Sequence, residues 1–270
     1  MKNGEAAKKS AEQKKVIFYA RDYRHFTATA KNTGLFLALC VLPIVVAFIF
    51  LYSPITKAMC LWVDKIVSAI TGQTIELMST PFLPGMGGVF YISLQGSLPT
   101  FTHALIAGII ALVAIITVSQ AGPNSRPLMI YICMALYVTL ASCLFFILWP
   151  ESFPYTLTDY SQLYMVQFAA MLIILPAIFG VALSLMRAST FARVVVVFVQ
   201  IAVQFLYNLL RYVTYIVFLC YCTSLYMATL LFTLGVLFDF IQMVMIYSFF
   251  AKKVSEQYGS LEGRSKWAWS

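Results

Sequence analysis

Long apolar runs, interrupted by short polar or basic stretches, set the pattern of this 270-residue chain. A bilayer's hydrocarbon core is about 30 Å thick and takes about 20 helical residues per crossing. Six runs meet that length: residues 34–52, 101–120, 128–149, 163–186, 194–221 and 225–250. Pro43 and Pro176 fall inside two of them, which membrane helices tolerate because neighbouring groups re-satisfy the freed backbone. The predicted fold class is all-α, a polytopic membrane protein with six transmembrane helices.

Between the first two crossings, over an outer segment at 53–100, the pattern changes. Ile55, Met59, Trp62, Val63, Ile66, Val67 and Ile70 recur at helical spacing, with Lys57, Asp64, Lys65 and Ser68 opposite. That spacing predicts an amphipathic helix lying flat in the outer interface. Pro81, Pro84, Gly85, Gly87, Gly88, Gly96 and Pro99 then predict turns, around a short β-like run from Val89 to Leu94. Two forms fit residues 71–99: an ordered outer loop, which we prefer, or a re-entrant loop sheltered by helices.

Composition agrees with the pattern. The chain is 61% hydrophobic and 10% charged, against about 25% charged in soluble domains. No stretch reads as a soluble domain. The chain divides into a cytoplasmic arm at 1–33, a transmembrane domain at 34–250 and a cytoplasmic tail at 251–270. The first apolar run starts too far from the N-terminus for a signal peptide and lacks a small-x-small cleavage site, so it reads as a retained helix. In the arm, Lys14, Lys15, Arg21 and Arg24 alternate with Phe18, Tyr19, Tyr23 and Phe26. Such a pattern suits the headgroup zone or the docking of a cytoplasmic partner.

The formal charge of +8 follows the positive-inside rule. With the N-terminus inside, 15 of the 18 Lys and Arg fall on cytoplasmic segments, and only Lys57 and Lys65 fall outside. This predicts both termini in the cytoplasm and places the protein in the inner membrane of a bacterial cell. No motif supports nucleic-acid binding. The six cysteines show no metal or redox spacing and imply no disulfide framework. The two histidines, His25 and His103, fall on opposite sides of the membrane. No cofactor motif is present. His103 lies near Ser97, Thr100 and Thr102, but no nucleophile elbow accompanies it.

The chemistry concentrates in residues 194–250. Gln200, Gln204, Asn208, Arg211 and Tyr215 fall four, four, three and four apart, on one face of the fifth crossing. Asp239 and Gln242 share a face of the sixth. Polar residues at membrane depth avoid lipid. The seven form either an interface between helices or a substrate-accessible cavity. Counting in from each crossing's own start puts Arg211 about 25 Å up and Asp239 about 21 Å down. The two are then some 15 Å apart in depth, and a direct ion pair is not expected unless a helix is broken.

Phe205-Leu-Tyr-Asn-Leu-Leu-Arg-Tyr-Val213 resembles the Asn-x-x-Arg helix of exosortases and archaeosortases, membrane transpeptidases that process surface proteins. The resemblance covers about twenty residues. It implies an arginine working near the outer face. The family's cysteine nucleophile has no counterpart except Cys143, and no histidine follows Arg211. The resemblance therefore implies a non-catalytic relative.

The function expected is a non-enzymatic subunit of a larger envelope assembly of the secretion, conjugation or surface-polymer export kind. Its contacts would be the lipid bilayer and protein partners in the membrane or at the tails. A small-solute transporter or channel using Arg211 and Asp239, or an exosortase-like transpeptidase, are the alternatives.

Overall fold

The computed structural model describes residues 30–72, 75–120, 126–186 and 188–261. Most of the basic arm, the turn at 121–125, Arg187 and the tail from 262 lie outside the described residues. Six helical stretches are long and apolar enough to cross a membrane: Thr33–Thr71, Phe101–Ser119, Leu128–Leu148, Leu157–Ser184, Thr190–Cys222 and Ser224–Val254. Their outward faces carry large apolar side chains, Phe50, Ile110, Phe191 and Phe249 among them. Among the described residues nothing covers these faces, and they suit acyl chains.

The first stretch is one long helical path. Helix α1 (Ala30–Phe36) passes through a π-turn at Leu37–Val41 into α2 (Leu42–Thr71). Pro43 explains the π-turn: its ring crowds the carbonyl four residues back and it donates no N–H. The Leu42 amide bonds to Leu37 O instead. The bulge presses Val41 against Gly180, where a Cβ would sit 2.4 Å from Val41 Cγ2.

Residues 55–70 form no separate element. They continue α2 without interruption past Pro54. Only part of the predicted apolar face is covered: Met59, Val63 and Val67 are buried, whereas Trp62, Ile66 and Ile70 are exposed. The buried stripe starts at Tyr52, ahead of the predicted start at Ile55, and continues through Thr56, because it serves an internal partner rather than a lipid surface.

That partner is a β-hairpin, β1 (Glu76–Thr80) antiparallel to β2 (Val89–Ser93). The β-like run is therefore β2, in an ordered hairpin. Helices cover its second edge. Thr56 Oγ1 accepts from Phe90 N at 3.3 Å, Ser53 Oγ donates to Gly88 O at 2.8 Å, and Tyr52 OH donates to Gly87 O. On the far side, Ile92 N donates to Ser161 Oγ and Tyr212 OH, at 3.3 and 3.2 Å. Extended backbone beside apolar helices is stable only when such groups replace water.

Helices α3 (Phe101–Ser119) and α4 (Arg126–Leu148) pack closely. Ala104 and Ala107 are buried with Cys143 and Phe146, and small residues allow this approach without a hydrophobic drive between helices. Next come α5 (Leu157–Ser184) and α6 (Thr190–Cys222). Thr156 and Asp159 form a reciprocal capping box at the start of α5, satisfying two orphan amides. The last stretch is broken: α7 (Met227–Thr233) and α8 (Val236–Leu261) meet at Leu234 and Gly235.

Candidate functional site

Helix α6 is apolar except along one line, and the fold turns that line inward. Gln200, Gln204, Asn208, Arg211 and Tyr215 are all buried, with Arg211 at 4% exposure and the other four at zero. Asp239 is at zero as well.

Arg211 and Asp239 form an ion pair, Nη2 to Oδ2 at 3.1 Å. This corrects the depth expected from sequence. Both residues are properly counted from the turn they share: Arg211 lies eleven positions before Cys222, and Asp239 twelve after Met227. At 1.5 Å per residue both sit about 17 Å from that turn. Counting from opposite ends of spans taken as 20-residue rods ignored that α6 runs to 33 residues. The break at Gly235 adds a new helix start there, so Asp239 lies in the first turn of α8, where the helix dipole favours a carboxylate.

Every nitrogen of the guanidinium is engaged. Nε donates to Tyr164 OH at 3.0 Å, Nη1 to Gly235 O at 3.0 Å, and Nη2 to Asn208 Oδ1 at 2.6 Å as well as to Asp239. Asn208 Nδ2 donates to the other carboxylate oxygen, Asp239 Oδ1, at 3.1 Å. Tyr164 OH in turn donates to the Asn208 oxygens. The Tyr164 ring lies under the guanidinium, 5.1 Å from its carbon, and the Tyr207 ring lies 5.6 Å away.

The same cluster repairs the helix break. Ending α7 frees carbonyls that a continuous helix would bond. Tyr215 OH donates to Leu234 O at 2.5 Å and Tyr131 OH donates to Thr233 O; Leu230 O and Gly235 O, already bonded by Leu234 N and Phe238 N, gain second bonds from Tyr215 OH at 3.2 Å and from Arg211 Nη1. A Cβ at Gly235 would sit 2.1 Å from Leu231 O, so the turn requires glycine.

Sequence reading named Tyr215 but missed Tyr160 and Tyr164 of α5 and Tyr212 of α6. Tyr164 and Tyr212 stack at 5.0 Å, nearly parallel, and Tyr164 meets Tyr215 edge-on at 5.1 Å. Tyr212 OH also pairs with Ser161 Oγ at 2.6 Å, linking this stack to Ile92 of the hairpin. The available signal was spacing: Tyr160, Tyr164 and Phe168 repeat every four residues along α5.

Three members of the predicted stripe stand apart. The carboxamides of Gln200, Gln204 and Gln242 are buried and bond to no group among the described residues. They border an apolar cluster that includes Phe179, Val197 and Met243. His103 is exposed on the first turn of α3, away from any buried carboxylate partner. Among the described residues, no group of three His, Cys, Asp or Glu is placed to hold a metal. A shallow apolar groove of about 620 Å³ runs along the outer face of α8, past Phe240 and Val244 to Ser248 and Lys252, and does not include Asp239.

Chemically, the cluster is a closed electrostatic knot joining α5, α6, α7 and α8. A buried charge stripped of water is tolerable only when paired and fully hydrogen-bonded, and here both conditions hold. The chain matches no known protein-family model, no curated protein and no solved structure.

Proposed function

We propose that this chain is a non-enzymatic integral subunit of a larger bacterial envelope assembly, of the secretion, conjugation or surface-polymer export class. In this reading it sits in the inner membrane with both termini in the cytoplasm, an orientation that its distribution of Lys and Arg supports. One observation carries the reading: the charged groups that could have done chemistry are consumed in holding helices together. Arg211 spends all three nitrogens on its own chain, and Asp239 is fully enclosed. An exosortase-type role would need the guanidinium facing a substrate. The stiff core and broad apolar flanks suit a part that positions other parts.

Affinity purification of the full chain from native membranes in mild detergent tests this, with brief cross-linking. Stoichiometric membrane partners are expected. A homogeneous chain that purifies alone under those conditions overturns it.

The broken last crossing favours a transporter as the second reading, since discontinuous helices build midplane sites in that class. Gln200, Gln204 and Gln242 would then line the path beneath the ion pair. Gln204→Cys decides: labelling by a membrane-impermeant thiol reagent in intact vesicles would favour transport, and inertness from both sides favours the subunit.

A further inference from the structure

Strand β1 pairs with β2 along one edge and leaves the other open. The groups on the open edge follow from β2. Phe90 and Ile92 turn their amides away from β1, toward Thr56 and toward Ser161 and Tyr212. Phe90 O likewise accepts from Cys60 Sγ at 3.3 Å. In an antiparallel ladder, residues alternate between pairs that exchange both bonds and pairs whose groups point outward. Phe90 and Ile92 oppose Ser79 and Leu77. The N–H and C=O of Leu77 and Ser79 therefore project from the open edge, and no bond from them is made to the described residues. Leu77 and Met78 are exposed, at 39% and 38%. An open edge with apolar side chains is a template for an added strand.

Symmetry rules out the hairpin of a second copy as the occupant. Along α2, Gly88 lies at Ser53 and Phe90 at Thr56 and Cys60; along α5, Leu94 lies at Thr158 and Ile92 at Ser161. The strand thus advances with α2 and against α5, parallel to the helix axes. Antiparallel pairing of β1 with its own copy needs a two-fold axis perpendicular to the sheet. That axis lies in the membrane plane and would invert one copy. A two-fold along the helix axes sets Leu77 against Leu77, donor facing donor, which a parallel ladder cannot use. Head-to-tail stacking fails too, because helices cover the free edge of β2.

We propose that the open edge of β1 receives an extended strand from a different subunit of the assembly. It bonds through the backbone of Leu77 and Ser79, with apolar side chains against Leu77 on one face and Met78 on the other. This deepens the subunit reading above and rests on it.

The test is photo-cross-linking in native membranes from benzoylphenylalanine placed at Leu77 of the full chain. One discrete adduct with another membrane protein is expected. Ser79→Pro removes an outward amide and spares the ladder, as proline does on edge strands, so it should abolish the adduct; Ser79→Ala should keep it. Leu77→Pro, with the cross-linker moved to Met78, should give the same loss, so the result does not rest on one variant. An adduct to a second copy or within the chain overturns the proposal, as does an adduct that survives both prolines. Partners that co-purify while Leu77 stays silent sink strand pairing alone. A wild-type chain that purifies without partners sinks the subunit reading itself.

Discussion

Removing Asp239 should cost far more than removing the whole ion pair. In Asp239→Leu, the guanidinium stays buried and loses its counter-charge, while Asn208 Nδ2 loses one of its two acceptors and keeps Gln204 O. Breaking a buried pair from one side costs about 3–5 kcal/mol. Arg211→Met strands the carboxylate and should cost a similar amount. The double variant Arg211→Met/Asp239→Leu leaves only neutral groups short of a partner, chiefly Tyr164 OH and part of Asn208, while Gly235 O keeps its bond from Phe238 N. Each such group costs about 1–3 kcal/mol at most, and Met and Leu fill much of the vacated volume. The double variant should therefore be more stable than either single one, with a coupling of about 3 kcal/mol or more. That exceeds the maximum of about 1.7 kcal/mol found between ordinary polar groups of membrane helices. Unfolding in mixed micelles, titrated with SDS and followed by circular dichroism, measures all four proteins. A coupling below about 1 kcal/mol would show that solvent already reaches the pair, and the closed-knot description would fail.

Gly180→Ala forces Val41 aside and should lower stability by about 1–3 kcal/mol, the usual range for overpacking; adding Val41→Ala should restore most of it, and no rescue would mean the two helices do not touch there. Gly235→Ala drives a Cβ into Leu231 O and should deplete the monodisperse peak in fluorescence-detected size exclusion; full wild-type yield would contradict the tight turn. Gln200→Leu with Gln204→Leu removes four orphaned atoms and should leave the melting temperature unchanged or raise it, since deleting unpaired polar groups is neutral or stabilising; a clear fall would reveal bonding partners for these amides. Tyr215→Phe strips Leu234 O of its hydroxyl donor, while Leu230 O keeps Leu234 N, and should cost about 1–3 kcal/mol, read in the same SDS titration.

The six crossings were legible because lipid imposes a length and a composition that few other demands mimic. The stripe on α6 was legible for a related reason: polar residues four apart in an apolar helix have few places to go. What that stripe bonds to was not legible. Depth counts assume unbroken rods of standard length, and α6 and the Gly235 turn violate both assumptions. Tyr164 and Tyr212 were passed over because a phenol in an apolar helix reads as core, yet Tyr164 OH accepts from the guanidinium and Tyr212 OH bonds Ser161 and the Ile92 amide. Residues 55–70 misled in the opposite way. Their amphipathic spacing is genuine, but a hairpin meets part of the apolar face, and periodicity records only that a face is covered, never by what.

The seat of β2 bears on how the chain matures during insertion. Ile92 bonds to Tyr212, 120 positions later in the chain. The segment at 76–94 is synthesised and released early, while the residues that complete its seat emerge only with the fifth crossing. Until then its backbone amides must be solvated or shielded by other molecules, and contacts of such long range form slowly. Docking of the hairpin is accordingly a late checkpoint in biogenesis, and truncations ending before α6 should leave this segment open to protease.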